Sequence, residues 1–92
     1  MNKISLLIVD DHALFRAGLV SLLNTMGDFE VIGEASNGLE ALQLGAHVRP
    51  DVILLDVNMP EMGGVEAVKA LKERISCLII MLTFSKSERD LF

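Results

Sequence analysis

Apolar runs that end in aspartate are the feature of this sequence that most constrains its fold. Residues 4–9 lead into Asp10 and Asp11, and residues 51–55 lead into Asp56. An aliphatic run of this length is typical of a strand buried in a parallel sheet. If the two strands are parallel neighbours, the three carboxylates converge at one edge of the sheet.

Similar short runs alternate with longer segments of helical periodicity, which predicts an α/β fold with a doubly wound parallel sheet. The predicted strands span residues 4–9, 29–35, 51–55 and 77–82. The predicted helices span residues 12–26, 38–48, 65–74 and 85–92. The third strand is the most apolar and is predicted to be central, whereas the second is predicted to be an edge. Ligands of such sheets bind beyond the carboxyl ends of the strands.

The helices carry apolar positions at helical spacing, which predicts the side that each one buries. Asn37 is the predicted N-cap of the second helix, and the Arg49-Pro50 step is predicted to end it. The inward residues expected in the first two helices are Phe15, Leu19, Leu22, Leu23 and Met26, and then Leu39, Leu42 and Ala46.

Three carboxylates at one sheet edge indicate a metal-assisted phosphate site. Like charges repel unless a cation lies among them, and hard oxygen ligands suit Mg²⁺. One of the aspartates is then available as a nucleophile. Acidic residues at strand ends also commonly cap the next helix or face solvent, and that alternative stays open for each residue taken singly.

The composition excludes several classes of protein. The 92 residues suffice for one small domain, and the net charge of −5 (8 basic, 13 acidic residues) argues against direct binding of nucleic acid by this chain. No apolar stretch approaches the ~20 residues of a membrane span, and no signal-peptide pattern appears. The single cysteine, Cys77, is expected to be a buried, inert thiol. A reducing, cytoplasmic setting fits these features.

Four motifs, in order along the chain, resemble those of a bacterial response-regulator receiver domain of the NarL/FixJ (LuxR-type) subfamily. They are Leu7-Ile8-Val9-Asp10-Asp11-His12, Asn37-Gly38-Leu39-Glu40-Ala41, residues 51–64 (DVILLDVNMPEMGG) and Met81-Leu82-Thr83. The resemblance implies a flavodoxin-like fold with strand order 2-1-3-4-5. It also implies that residues 1–92 form a receiver domain that ends before the family's fifth strand and fifth helix, with no DNA-binding domain among them.

The resemblance assigns roles to five residues. Asp56 would accept a phosphoryl group from a sensor histidine kinase, and Thr83 would supply the switch hydroxyl. Asp10 and Asp11 would belong to the pocket that holds Mg²⁺, with Asp11 favoured as the direct ligand, and the backbone carbonyl of Asn58 would join them. In a full-length parent, the domain would control transcription through a C-terminal helix-turn-helix.

The sequence departs from the family at a few positions. Gly63 stands where Asp or Asn is more common, and Phe84 follows Thr83 where small residues are usual. No residue matches the lysine of the fifth strand, and Lys86 is not a substitute because it falls in the predicted fourth helix.

Two alternatives belong to other classes of protein. One is a non-phosphorylated interaction or domain-swapping fragment, since a sheet without its fifth strand would leave an open edge for a homodimer. The other is an aspartyl-phosphate phosphatase, which is disfavoured because such enzymes often place a proton-donating Asp where this chain has Asn58. We expect a phosphoryl acceptor rather than an enzyme.

Overall fold

The protein is a four-stranded parallel sheet covered by helices on both faces. The computed structural model describes residues 2–56 and 64–82, and for residues 64, 65 and 67 only the backbone. The elements in chain order are β1 (Ile4–Val9), α1 (Ala13–Thr25), β2 (Phe29–Ala35), α2 (Gly38–Val48), β3 (Val52–Asp56), α3 (Gly64–Arg74) and β4 (Leu78–Leu82). The predicted fourth helix lies outside the described residues.

The strands are arranged in the order β2-β1-β3-β4, and every neighbouring pair is parallel. This is the flavodoxin-like order that the sequence predicts, with β3 inside the sheet and β2 at an edge. Among the described strands, β4 lies at the opposite edge and pairs with β3. In this register, Val9 lies beside Leu55, so β1 and β3 end at the same level.

The main core lies between the sheet and the pair α2 and α3. Its fully buried members alternate along the strands, as residues on one face of a sheet do. They are Leu7, Val9, Ala35, Ala41, Ile53, Leu55, Leu71 and Ile75. Leu6 and Ile8 are buried as well and have the opposite strand parity, which places them on the face that α1 covers.

The first helix buries only part of the predicted stripe, in which Phe15, Leu19 and Leu23 are partly buried. Leu22 is 60% exposed and Met26 is 46% exposed, whereas Arg16 and Val20 are partly buried. The predicted stripe is therefore wrong at Leu22 and Met26. The physical reason is that α1 packs mainly against β2 and β1, so the side of the helix that faces the sheet includes Arg16 and Val20.

The second helix approaches the core through small residues. Its buried positions are Gly38, Ala41 and Gly45, whereas Leu39 is 55% exposed. The expectation that Leu39 and Ala46 point inward is wrong, although Leu42 does pack against the core. Small residues allow α2 to lie close to its neighbours: a Cβ on Gly45 would sit 2.7 Å from the Cδ1 of Ile75, which would have to move.

The ends of α2 follow the prediction. The Asn37 side-chain oxygen accepts a hydrogen bond from the Glu40 backbone N–H at 2.8 Å, and Asn37 is the N-cap. Arg49 ends the helix in the left-handed region, with φ of 50°. Within the described residues, no helix is both long enough and apolar enough to cross a membrane.

Candidate functional site

Three carboxylates meet at the carboxyl edge of the sheet, which is the side where the strands have their C-terminal ends. Asp10 and Asp11 follow β1 directly, and Asp56 is the last residue of β3. One oxygen from each of these three residues lies within 4.8 Å of the other two. The convergence expected from the strand ends is thus present in the structure.

Two of the three acids are buried. Asp10 is 2% exposed and Asp56 is 1% exposed, and they are the buried polar residues of the described chain. Asp11 is half-buried. Burying carboxylates side by side is costly unless they are partnered or bind a cation. The cluster therefore has the donor set and the charge of a divalent-cation site.

The β1–α1 connection holds Asp10 through both its side chain and its backbone. Its Oδ1 accepts a hydrogen bond from the His12 backbone N–H at 2.7 Å, and its own N–H donates to the Ala35 carbonyl at 3.0 Å. His12 in turn caps α1, because its Nδ1 accepts the Phe15 N–H at 3.1 Å. The first turn of α1 is therefore built directly onto the acidic cluster.

Arg16 ties this connection to the next strand. Its guanidinium donates to the Asp10 carbonyl oxygen at 2.5 Å and to Glu34 Oε1 of β2 at 3.1 Å. Sequence reasoning missed both His12 and Arg16. Arg16 follows His12 by one helical turn, which is compatible with both residues lying on one side of α1, but this spacing does not specify the bond to the Asp10 carbonyl.

The N-terminus of α2 lies beside this network. Glu40 accepts the backbone N–H and the hydroxyl of Ser36, both at 2.8 Å. These two bonds hold the pKa of Glu40 below its ordinary value, with a smaller contribution from the positive charge of Arg16. The acidic site is thus bordered by a second group of charged residues, Arg16, Glu34 and Glu40, each of which makes side-chain hydrogen bonds.

The remaining predicted site residues are not in the described part of the chain. Asn58 and Thr83 both lie outside residues 2–56 and 64–82, so their roles stay predictions. Cys77 is half-buried rather than fully buried, and burial raises the pKa of its thiol, which disfavours the reactive thiolate.

The sequence that carries this geometry matches a known protein family. The sequence profile of the response regulator receiver domain matches residues 6–92. The chain belongs to this family. The receiver domain therefore accounts for nearly the whole chain, including the residues that carry the acidic cluster.

Curated relatives of this receiver domain include transcriptional regulators. It is similar to the transcriptional regulatory protein YdfI of Bacillus subtilis, with 49% identity over 83 residues, covering 90% of this chain and 38% of YdfI. It is also similar to the nitrate/nitrite response regulator protein NarL of Escherichia coli, with 40% identity over 87 residues, covering 94% of this chain and 40% of NarL. The chain thus spans about two fifths of the length of these relatives.

Solved structures show the same fold. The signal receiver domain of the putative response regulator NarL from Mycobacterium tuberculosis superposes with a TM-score of 0.84 at 33% identity, covering 95% of this chain and 73% of that one. The protein is accordingly the receiver domain of a two-component response regulator, with NarL-type relatives.

Proposed function

We propose that this receiver domain accepts a phosphoryl group on Asp56 in a reaction that requires Mg²⁺. The observation that carries the proposal is the meeting of Asp10, Asp11 and Asp56 within 4.8 Å, with Asp56 at the end of the central strand β3. A buried carboxylate at a strand end, flanked by two others, suits a nucleophile that works beside a bound cation.

The donor set fits Mg²⁺. Three carboxylates offer hard oxygen ligands, and the ion commonly uses one or two of these while water and phosphate oxygens complete its shell. Asp11 and Asp56 would bind it directly, Asp10 would support them, and the backbone carbonyl of Asn58 would join them. When bound, the ion offsets the charge of the cluster and of the incoming phosphoryl oxygens.

The covalent step takes place between Asp56 and a phosphorylated histidine side chain of a sensor kinase. A carboxylate oxygen of Asp56 attacks phosphorus, and an acyl phosphate forms. The phosphorus–nitrogen bond breaks, and its electron pair returns to the imidazole nitrogen. A proton on the other ring nitrogen lets the imidazole leave as a neutral group. The Thr83 hydroxyl would then bond a phosphoryl oxygen as the switch.

The relatives support a proposal for the role in the cell. We propose a cytoplasmic regulator in which residues 1–92 serve as the phospho-acceptor domain and DNA is bound by a separate helix-turn-helix domain. YdfI and NarL are named as regulators and are more than twice as long as the matched region, which leaves room for such a domain. The domain would act as an acceptor rather than an enzyme, with at most self-phosphorylation and self-dephosphorylation.

A homodimer through β4 remains a second proposal, because a specific feature favours it. Within residues 2–56 and 64–82, β4 is an edge strand, and the exposed side chains on it are apolar: Leu78 is 60% exposed, and Ile80 and Met81 are each 42% exposed. An edge strand without charge or proline invites pairing with another strand. Sedimentation over a hundredfold range of concentration would reveal the dimer, and a concentration-independent monomer would refute it.

Labelling with acetyl phosphate tests the main proposal. Intact-mass spectrometry should detect one added phosphoryl group in the presence of Mg²⁺ and none in EDTA. Asp56→Asn should abolish the label, whereas Asp28→Asn, an equal change at an exposed turn, should leave it intact. A label that persists in Asp56→Asn would show that the acceptor is another residue.

A further inference from the structure

Arg16 contacts the acidic site through a backbone atom rather than through a carboxylate. One nitrogen of its guanidinium donates to the Asp10 carbonyl oxygen at 2.5 Å, and its Nε donates to Glu34 at 3.1 Å. The Arg16 side chain is 18% exposed and that of Glu34 is 45% exposed. The guanidinium is therefore held from two directions, by β2 on one side and by the β1–α1 connection on the other.

The carbonyl that Arg16 binds belongs to the peptide unit that joins Asp10 to Asp11. A peptide unit is planar and rigid, so fixing its oxygen fixes the direction in which the chain leaves Asp10 and reaches the Cα of Asp11. The other end of Asp10 is already anchored by its N–H bond to Ala35. The direction of the Asp11 side chain thus depends on the bond from Arg16.

We propose that Arg16 is a positioning residue for the metal site, which holds the Asp10–Asp11 peptide so that both carboxylates face Asp56. Glu34 is its anchor on β2. The inference rests on the proposed Mg²⁺ function and adds a residue that touches neither the ion nor the phosphoryl group. Partners of this kind that orient metal ligands commonly contribute 10–100-fold to metal affinity.

The charge of Arg16 makes this role separable from simple electrostatics, because the two effects have opposite signs. A guanidinium near the site repels a divalent cation, so removing its charge would strengthen Mg²⁺ binding if charge were all that mattered. If Arg16 positions the ligands, removing it weakens binding despite the lost repulsion. The sign of the change in affinity decides between the two.

The test is a titration of the 92-residue chain with Mg²⁺, followed by backbone amide shifts. We expect Arg16→Gln to weaken binding by about 10-fold. Arg16→Lys keeps the charge but lacks the planar guanidinium that donates to two acceptors at once, so this variant should keep only part of the wild-type affinity. Arg74→Gln makes the same charge change on the exposed last turn of α3 and should leave the affinity unchanged.

Two results would overturn the proposal: tighter or unchanged binding in Arg16→Gln, or wild-type affinity in Arg16→Lys. The carbonyl carbon shift of Asp10 gives a readout without metal, and it must move in metal-free Arg16→Gln because its hydrogen bond is lost. If the wild type itself binds no Mg²⁺, the proposed function fails, which is a distinct outcome from unchanged binding in the variant.

A second pair of variants covers the case in which Arg16→Gln does not fold. Glu34→Gln weakens the anchor while Arg16 stays in place, and Glu30→Gln makes the same change at an exposed position of β2. Weaker Mg²⁺ binding in Glu34→Gln than in Glu30→Gln, together with a changed Asp10 carbonyl carbon shift in metal-free Glu34→Gln, supports the positioning role, since loss of charge alone would not move that shift. Equal affinities in the two variants contradict it.

Discussion

The clustered carboxylates should lower the stability of the metal-free protein, and Asp56→Asn should therefore stabilise it. One oxygen from each acid lies within 4.8 Å of the other two, and at that separation a pair of charges repels by about 0.9 kcal/mol in water and about 3.5 kcal/mol at an effective dielectric constant near 20. Neutralising Asp56 removes two such pairs, or about 2 to 7 kcal/mol.

The net gain should fall near the low end of that range. Asp11 is half-buried, so solvent screens part of its charge. The amide also makes weaker hydrogen bonds than the carboxylate, which costs about 1 kcal/mol. We expect Asp56→Asn to raise the free energy of unfolding by about 1 to 3 kcal/mol, a large share of the ~5–15 kcal/mol typical of a domain.

Urea denaturation in EDTA at pH 7 and low salt measures this difference. Circular dichroism is the suitable probe because the chain contains neither Trp nor Tyr. The gain should shrink in 1 M NaCl, where the screening length falls to about 3 Å. Adding Mg²⁺ should reduce the stability difference between the variant and the wild type. At a Mg²⁺ concentration ten times its dissociation constant, the wild type should gain about 1.4 kcal/mol and the variant less.

Asp28→Asn is the matched control, because Asp28 is an exposed acid in the α1–β2 turn. Its effect should stay within about 0.5 kcal/mol of zero. If Asp56→Asn is no more stable than the wild type under these conditions, the three carboxylates do not repel one another in the folded protein, and the electrostatic argument for a cation site is wrong.

Three further predictions concern the scaffold. Two hydrogen bonds from Ser5 hold the pKa of Asp51 below its ordinary value. Asp51 therefore stabilises the fold at neutral pH and loses this effect as the pH falls below about 4. The difference in urea midpoint between the wild type and Asp51→Asn should shrink over that range. Leu71→Ala, at a fully buried position, should cost about 2–5 kcal/mol in urea unfolding, and Leu78→Ala, at a 60% exposed position, far less. Asn37→Ala removes the α2 cap and should cost about 1 kcal/mol in the same assay; no loss would mean that the cap bond contributes nothing.

The sequence predicts the sheet and the acidic cluster because both depend on local patterns. Aliphatic runs specify buried strands, and parallel order then brings the residues after β1 and at the end of β3 to one edge. The N-cap at Asn37 is equally local. None of these features depends on knowing which helix face meets which strand.

The buried sides of the helices were harder to predict, because they depend on tertiary packing. Apolar spacing correctly selects Leu19 and Leu23 on α1, but it does not reveal that Arg16 is also partly buried. On α2 it selects Leu39, whereas the buried positions are the small residues Gly38, Ala41 and Gly45. The Arg16 bond to the Asp10 carbonyl is likewise invisible in the sequence, since a charged residue on an amphipathic helix is expected to face water.

Aspartates lie at both the amino edge of the sheet, where the strands begin, and the carboxyl edge, where they end. We expect their effects on stability to be opposite. At the amino edge, Asp51 is exposed and accepts two hydrogen bonds from Ser5, so its charge is well solvated and stabilises the fold. At the carboxyl edge, Asp10 and Asp56 are buried beside each other and beside Asp11, so we expect their mutual repulsion to oppose folding until a cation binds. An Asp→Asn change should therefore destabilise the metal-free protein at residue 51 and stabilise it at residue 56. Measured on one chain, this reversal of sign separates a carboxylate that supports the scaffold from one that is held at an energetic cost for binding.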